Sequence, residues 1–347
     1  MMEGLRTEEK TITTIITLLA YGCPIQAIVH AYELDERTVA NWQKRAGAHS
    51  QRVHEAIVEQ GNIKSQHIQA DEIRAKGRKM IIWIALAMDI SSRLWLAGAV
   101  SQHRDRALID RLFQQVRACC HLVQSLLVCT DGFAAYPKSI VRVFREKVKK
   151  KSGRGRCCLE VWPSLCIATV IKKTQKKRVV EITRKMTRGV VEKAQELLLL
   201  THGGSELNTA FIERLNGTFR ERLASLTRKC RHAAARLETL EKGMYLIGCT
   251  YNFCFPHQQL SKSFHFGHPI TPAMAAGLTD HIWSIQELLR YKIAPDAWIE
   301  PKRRGRPRKE KGADPSQPKR PRGRPRKETI SDAKEAKRPR GRPRKIA

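Results

Sequence analysis

Three acidic residues, Asp71, Asp131 and Glu213, stand on segments of different type: the first two on stretches that read as strands, the third on an amphipathic helix. Carboxylates that meet from separate elements can hold a pair of Mg²⁺ or Mn²⁺ ions, which activate a nucleophile and neutralise the charge developing on a phosphodiester. The chemistry such a set suits is the cutting or joining of nucleic acid. The charge of the chain points to the same polyanion, since 65 Lys+Arg against 33 Asp+Glu give +32, far more than solubility requires. The tail from Pro301 carries 20 Lys+Arg and 5 Asp+Glu, a net +15, and leaves +17 for the rest, so both parts are basic.

The elements that must position these acids can be traced along the chain. His67 to Ile73, an apolar run from Met80 to Met88, a polar break at Asp89-Ile90-Ser91-Ser92, and Leu94 to Val100 predict a three-stranded antiparallel meander. Arg104 to Val116 predicts a helix, with Leu108, Leu112 and Val116 in one stripe that Ile109 and Phe113 widen. Leu126 to Thr130 is short and continuously apolar, the pattern of a strand buried on both faces, and it ends in Asp131-Gly132. The order β-β-β-α-β is that of a ribonuclease-H-like α/β core with a mixed sheet. There the fourth strand lies parallel to the first, and Asp71 and Asp131 would stand side by side. A carboxylate directly after five buried apolar residues needs a reason, although Asp-Gly also begins turns. Asp89, at the hairpin, reads as turn chemistry.

The helix beginning near Asn208 carries the third acid. Phe211, Leu215, Phe219, Leu223 and Leu226 form an apolar stripe, whereas Glu213, Asn216, Gly217 and Arg220 fall on another face. Arg220 returns to nearly the angular position of Glu213 two turns later, so a phosphate-binding guanidinium would sit beside a metal-binding carboxylate. Gly217 between them would let a backbone or a phosphate approach closely. An exposed helix face rich in Glu and Arg has the same spacing, and the spacing alone does not choose. Upstream, Lys147 to Arg156 is a basic, Gly-containing loop that suits DNA contact and a solvated insertion equally. Cys166 to Ile171 and Arg178 to Ile182 predict a hairpin, and Val190 to Leu200 a helix.

The first fifty residues have helix-turn-helix spacing. Lys10 to Tyr21 is a helix that Gly22 can stop, Pro24 suits the first turn of a second helix reaching about Leu34, and Asp35 can cap a third. In the third helix Val39 and Trp42 can face inward, while Arg37, Asn41, Lys44 and Arg45 share the side that would read a major groove. A solvated charged face remains the alternative. The ten cysteines include the adjacent pairs Cys119-Cys120 and Cys157-Cys158 and no Cys-x-x-Cys pair, so they read as reduced, mostly core residues.

Several of these segments also carry a resemblance. Gln69 to Glu72 (QADE), Cys129 to Gly132 (CTDG), Asn208 to Arg220 (NTAFIERLNGTFR), Thr227-Arg228-Lys229, Tyr251-Asn252-Phe253-Cys254 with His257, and Thr271 to Thr279 (TPAMAAGLT) resemble bacterial insertion-sequence transposases of the DDE class, especially the IS-one-like group. The resemblance covers roughly residues 10 to 290. It implies a ribonuclease-H-like catalytic domain in which Asp71, Asp131 and Glu213 bind two divalent metals, Mg²⁺ or Mn²⁺. Arg220 matches a basic residue that often follows the family glutamate by seven. It also implies multimerisation on DNA, since two element ends must be joined. Two features depart from the family pattern. No zinc-binding Cys cluster precedes the helix-turn-helix unit, as one often does in relatives, so a shortened chain is the expectation; and Arg74 stands two residues after Glu72, where an aromatic or apolar residue commonly follows Asp-Glu.

The tail is legible without any family. Arg304-Gly305-Arg306-Pro307, Arg322-Gly323-Arg324-Pro325 and Arg340-Gly341-Arg342-Pro343 repeat one motif with glycines 18 residues apart. Gly and Pro keep such a segment narrow and extended, so its arginines can enter an A·T-rich minor groove as AT-hooks do. The composition predicts disorder without DNA, and each period could reach roughly 60 Å. The predicted organisation is therefore a helix-turn-helix domain over 1–60, a catalytic domain over 65–235, a helical extension over 236–295, and a disordered AT-hook tail over 296–347. Met80 to Met88 is too short to span a bilayer and the N-terminus lacks a secretory profile, which predicts a cytoplasmic, nucleoid-associated protein without a membrane partner. The expected function is DNA transposition on double-stranded element ends and A·T-rich targets. The alternatives are a non-enzymatic DNA-binding protein derived from a transposase, or a structure-specific nuclease.

Overall fold

The computed structural model describes residues 4–77, 80–121, 125–148, 157–176, 178–226, 236–264 and 267–294. The three Arg-Gly-Arg-Pro repeats read as AT-hooks, Thr227-Arg228-Lys229 and most of the basic loop lie outside the described residues. Three helices come first: α1 (Glu9–Ala20), α2 (Ile25–Tyr32) and α3 (Glu36–Ile57). Asp35 caps α3 by accepting from the amides of Arg37 at 2.8 Å and Thr38 at 3.3 Å, which satisfies donors the helix cannot pair itself.

The sheet strands and the helices between them follow as β1 (His67–Lys76), β2 (Ile81–Asp89), β3 (Trp95–Ser101), α4 (Arg106–Cys119), β4 (Ser125–Thr130) and α5 (Ala135–Val143). A small antiparallel pair, β5 (Arg145–Val148) and β6 (Cys158–Val161), is followed by β7 (Ser164–Gln175), β8 (Arg178–Arg188), α6 (Val191–Leu200) and α7 (Ala210–Arg222). The last described elements are α8 (Leu237–Cys249), a π-turn over Thr250–Cys254, α9 (Gln258–Phe264), α10 (Pro272–Ala275) and α11 (Ile285–Arg290). Among the described residues no helix is long and apolar enough to cross a membrane.

The fold is mixed α/β. One six-stranded sheet runs in the order β3-β2-β1-β4-β7-β8, with β1, β4 and β7 mutually parallel and the other neighbours antiparallel. Alternation along each strand sends side chains to opposite faces, and helices cover both. Ile68, Ala70, Ala85 and Ala87 pack with residues of α1, α3, α4 and α5, so the N-terminal helices share one core with the sheet. On the opposite face Ile73, Ile84, Leu86 and Met88 pack with α7 and α8, while Leu127, Cys129, Cys166 and Ala168 pack with α6. Each fully buried aliphatic or aromatic side chain contributes about 1.5–3 kcal/mol by leaving water.

The edge strand β3 is sealed by side chains. Asn252 accepts from the Trp95 amide and donates to the Trp95 carbonyl, both at 2.9 Å, much as a neighbouring strand would. A Cβ at Gly248 would run into the Trp95 ring, so α8 can lie this close only with glycine there. Asp89 behaves as turn chemistry: it is buried and accepts from Ser65 Oγ at 2.6 Å, the Ser92 amide at 2.8 Å and Ser92 Oγ at 2.6 Å. Six of the described cysteines are buried, whereas Cys157 and Cys158 are exposed.

Candidate functional site

The candidate site is a notch made by unequal strand lengths. The pairing of β1 with β4 ends at Ala70 opposite Thr130, because β4 stops there while β1 continues to Lys76 and β7 to Gln175. Asp71 and Glu72 lie just past the last residue of β1 that pairs with β4, and Asp131 just past the end of β4. Both β1 carboxylates can therefore turn into the gap, although successive strand residues start on opposite faces. One ligand atom from each of Asp71, Glu72 and Asp131 lies within 4.8 Å of the others. Oxygen donors at this spacing suit a hard divalent cation, for which opposite ligands lie about 4–5 Å apart.

The third predicted acid approaches from α7, and Gln69 of β1 sets that helix in place. Its Oε1 accepts from the amides of Phe211 and Ile212, both at 3.1 Å, and its Nε2 donates to the Asn208 carbonyl at 2.9 Å. Two amides that the first turn of a helix leaves without partners are thus tied to the strand that carries Asp71. Asn216, read as sharing a face with Glu213 apart from the apolar stripe, is buried and donates to Asp71 Oδ2 at 2.8 Å. Its burial follows from α7 lying flat on β1. Ile212, rather than Phe211, completes the buried stripe with Leu215 and Phe219.

Glu213 accepts from Thr209 Oγ1 at 2.6 Å and is ion-paired with Lys172 of β7. It stands outside the set of three ligand atoms, yet its charge is felt at Asp71. Burial pushes the Asp71 carboxyl up to about 6; the Glu72 amide pulls it down, the Asp131 and Glu213 charges raise it further, and Arg220 opposes them. Glu72 is pushed up to about 7 by burial, against the hydrogen bond from Arg104. Asp71 thus responds to the charges of Asp131, Glu213 and Arg220, and Glu72 to those of Asp131, Arg104 and Asp71.

Arg104 belongs to this site although its sequence position suggests only a helix start. Asp105 caps α4 by accepting from the Leu108 amide at 3.0 Å, so the helix begins at Arg106 and leaves Arg104 in the preceding loop. From there its guanidinium donates to Glu72 Oε2 at 3.2 Å and to Asp131 Oδ2 at 2.9 Å, and it stacks over Phe133 at 4.3 Å. Asp131 Oδ1 accepts from the Phe133 amide at 2.9 Å, so one oxygen of that carboxylate serves the turn and the other faces Arg104. A Cβ at Gly217 would meet nothing within 4 Å, so protein packing does not require glycine at that position. Glu72, Arg104, Lys172 and Gln69 are the site residues that sequence reasoning missed. Gln69 and Glu72 carried a signal, their place with Asp71 in the QADE segment, whereas Arg104 and Lys172 carried none.

Of the predicted groove-reading residues, Arg37 and Asn41 are exposed at the start of α3. Lys44 is paired with Glu238 of α8 at 2.8 Å, and Arg45 is half-buried against α8 and the middle of α3. The second half of α3 is part of the core: Nε2 of His49 lies 3.0 Å from the Leu288 carbonyl, and Nε2 of His54 lies 3.0 Å from the Leu96 carbonyl. No protein-family model matches the chain, and comparison with curated proteins finds no match either.

Proposed function

We propose that the chain is a divalent-metal-dependent DNA transposase of the DDE class, with a ribonuclease-H-like core, a DNA-binding helix-turn-helix at α2–α3 and AT-hooks in its tail. The observation that supports this reading is that Asp71 and Asp131, from two parallel strands, meet at the carboxyl end of β4, while the charge of Glu213 on the crossing helix is felt at Asp71. The strand order and the parallel β1–β4 pair support the ribonuclease-H-like assignment.

Asp71, Glu72 and Asp131 would hold one Mg²⁺ or Mn²⁺, and Glu213 would share a second with Asp71 and Asp131. Divalent ions there supply Lewis-acid polarisation and a strong nucleophile at neutral pH. The protein supplies the rest. Asn216 fixes the Asp71 carboxylate, Gln69 holds α7 at the correct height, and Arg220 offers a guanidinium to a phosphate oxygen. The proposed reaction is hydrolysis at an element end that exposes a 3′-hydroxyl, followed by in-line attack of that hydroxyl on a target phosphodiester, with the displaced oxygen leaving as the target strand's own 3′-hydroxyl. Double-stranded DNA is the partner, and joining two ends calls for a homo-oligomer on DNA.

One observation favours a second reading. Arg104 already bridges Glu72 and Asp131, and Lys172 already pairs with Glu213, an arrangement that would also suit a non-catalytic DNA-binding protein whose acids are permanently neutralised. Strand transfer by the purified chain from a labelled duplex carrying the element's ends into an A·T-rich plasmid, with Mg²⁺ or Mn²⁺, separates the two. Joining that disappears in Glu213→Gln while DNA binding persists supports the transposase; binding without joining in wild type and variant alike supports the second reading.

A further inference from the structure

On the other side of α7 from the acidic notch lies a small, partly open cavity of about 80 Å³, bordered by Arg93, Phe211, Arg214, Thr218, Tyr251 and His257. Its lining, which is wholly described, contains no carboxylate. Arg93 is 4% exposed and sits at φ 59°, in the left-handed region that a bulky residue adopts only when its surroundings hold it there. Its guanidinium lies 3.7 Å above the Phe211 ring centre and donates to the Ile90 carbonyl at 2.5 Å, but its buried Nε has no hydrogen-bond partner. Among the described residues neither Arg93 nor Arg214 forms an ion pair. Arg214 is held only through Gln259, at 3.3 Å.

The other polar side chains of the lining are Thr218, Tyr251, His257 and Gln259. His257 Nδ1 accepts from the Leu260 amide at 3.3 Å, which leaves the proton of the neutral ring on Nε2. Burial, followed by the charges of Arg93 and Arg214, lowers His257 to about 4, so the ring is neutral at pH 7. The Thr218 hydroxyl donates to the Arg214 carbonyl at a long 3.4 Å, the Tyr251 hydroxyl donates to the Arg93 carbonyl at 3.1 Å, and Gln259 Oε1 accepts from Arg214. Two guanidinium groups, a hydroxyl and an imidazole N–H border a space whose lining holds no carboxylate, and the buried Asp89, whose charge Arg93 feels, is already held by Ser65 and Ser92.

We propose that this cavity is a binding site for one tetrahedral oxyanion, a phosphate group, held by Arg93 and Arg214 with Thr218 and His257. The volume sets the class of ligand. About 80 Å³ admits several waters or one small oxyanion, whereas sites for nucleosides or drug-sized molecules run to roughly 300–1,000 Å³. Guanidinium pairs are the side chains best shaped for phosphate oxygens. The phosphate can be free inorganic phosphate or a backbone phosphate of a nucleic acid, and the inference does not rest on the reaction proposed for the acidic notch.

The test uses the full chain and two variants, Arg214→Gln and Thr218→Val; Arg214 is exposed and Thr218→Val nearly preserves volume, and each variant's thermal midpoint without phosphate verifies its folding. Calorimetric titration with inorganic phosphate at constant ionic strength is expected to show saturable binding by wild type. Arg214→Gln should weaken it roughly tenfold or more, and Thr218→Val by about three- to tenfold. A second arm measures affinity for a 30-base-pair duplex, about as long as three turns of B-DNA, against salt in phosphate-free buffer. Weaker duplex binding by Arg214→Gln, with a salt slope smaller by about one, assigns the site to a backbone phosphate even if free phosphate binds undetectably. Phosphate binding lost in the variants with duplex affinity unchanged assigns it to the free ion. Absence of phosphate binding by wild type together with unchanged duplex affinity in both variants overturns the proposal.

Discussion

The helix α7 separates two polar regions of opposite character. Towards β1 stand four carboxylates, and the chain supplies each with partners: Arg104 for Glu72 and Asp131, Asn216 for Asp71, and Lys172 with Thr209 for Glu213. Towards the π-turn stand Arg93 and Arg214 without a carboxylate between them. In the proposed reading, metal ions at the acidic site would displace the side-chain cations that already meet its charge. A cationic site whose lining holds no carboxylate would be stabilised when an anion arrives.

The strongest way to break this comparison is to remove a charge from the notch. Asp71→Asn is expected to reduce strand transfer to background. In a melting experiment at pH 7.5 the same variant should unfold at a higher temperature than metal-free wild type, because a buried repelled charge is gone, and Mn²⁺ should no longer raise its midpoint. A metal-free variant less stable than wild type would show that Asp71 is not held against its neighbours.

Next in size is the anchor of α7. Gln69→Leu leaves the amides of Phe211 and Ile212 without partners, which should cost roughly 2–4 kcal/mol in denaturant unfolding and loosen both polar regions together. Loss of Mn²⁺ binding with phosphate binding intact would mean that α7 does not couple them.

A smaller effect is set by pH. Asp71 and Glu72 have folded pKa values of about 6 and about 7, above their ordinary values of 3.8 and 4.5. A raised carboxyl pKa favours the fold below the ordinary value, and that contribution is lost as pH rises through the folded one. The stability advantage of Asp71→Asn over wild type should therefore grow from about pH 4 to pH 7. Mn²⁺ must displace these protons, so its affinity should climb over about pH 5–7, by up to about tenfold per unit for each proton released, and then level. A flat profile would remove Asp71 and Glu72 from the ligand set.

The smallest effect sharpens the comparison at the surface of α7. A methyl group at Gly217 meets no protein atom, so Gly217→Ala should stabilise the helix by up to about 1 kcal/mol. If duplex affinity falls in this more stable variant, the open face beside Glu213 lies against DNA; unchanged affinity would place the DNA elsewhere.

Much of the framework was readable because local patterns dictated it. The apolar run ending at Thr130 gave a buried strand and put Asp131 at its end, Asp35 marked the start of α3, and the stripe along α7 separated Glu213 from the core. Local patterns failed where partners came from far away in the chain. Arg104 reads as the first residue of a helix until the Asp105 cap excludes it, and only then does its side chain reach acids 32 and 27 residues distant. Lys44 reads as a free groove-facing cation until α8 brings Glu238 against it. The spacing of Asn216 does not choose between a site face and a solvated one until α7 settles on β1.

The sequence by itself determined the residue types and their local phase: three acids on two strands and a helix, an excess of basic charge, and a tail with three Arg-Gly-Arg-Pro repeats. Those follow from periodicities of two and 3.6 residues, which act over a few neighbours. The tertiary structure decided which charges meet. Where β4 stops relative to β1, how α7 is tied to Gln69, and how the π-turn closes over Arg93 together gather the acids in one notch and the arginines in one cavity, because electrostatic partners are chosen by distance in space and not by separation along the chain.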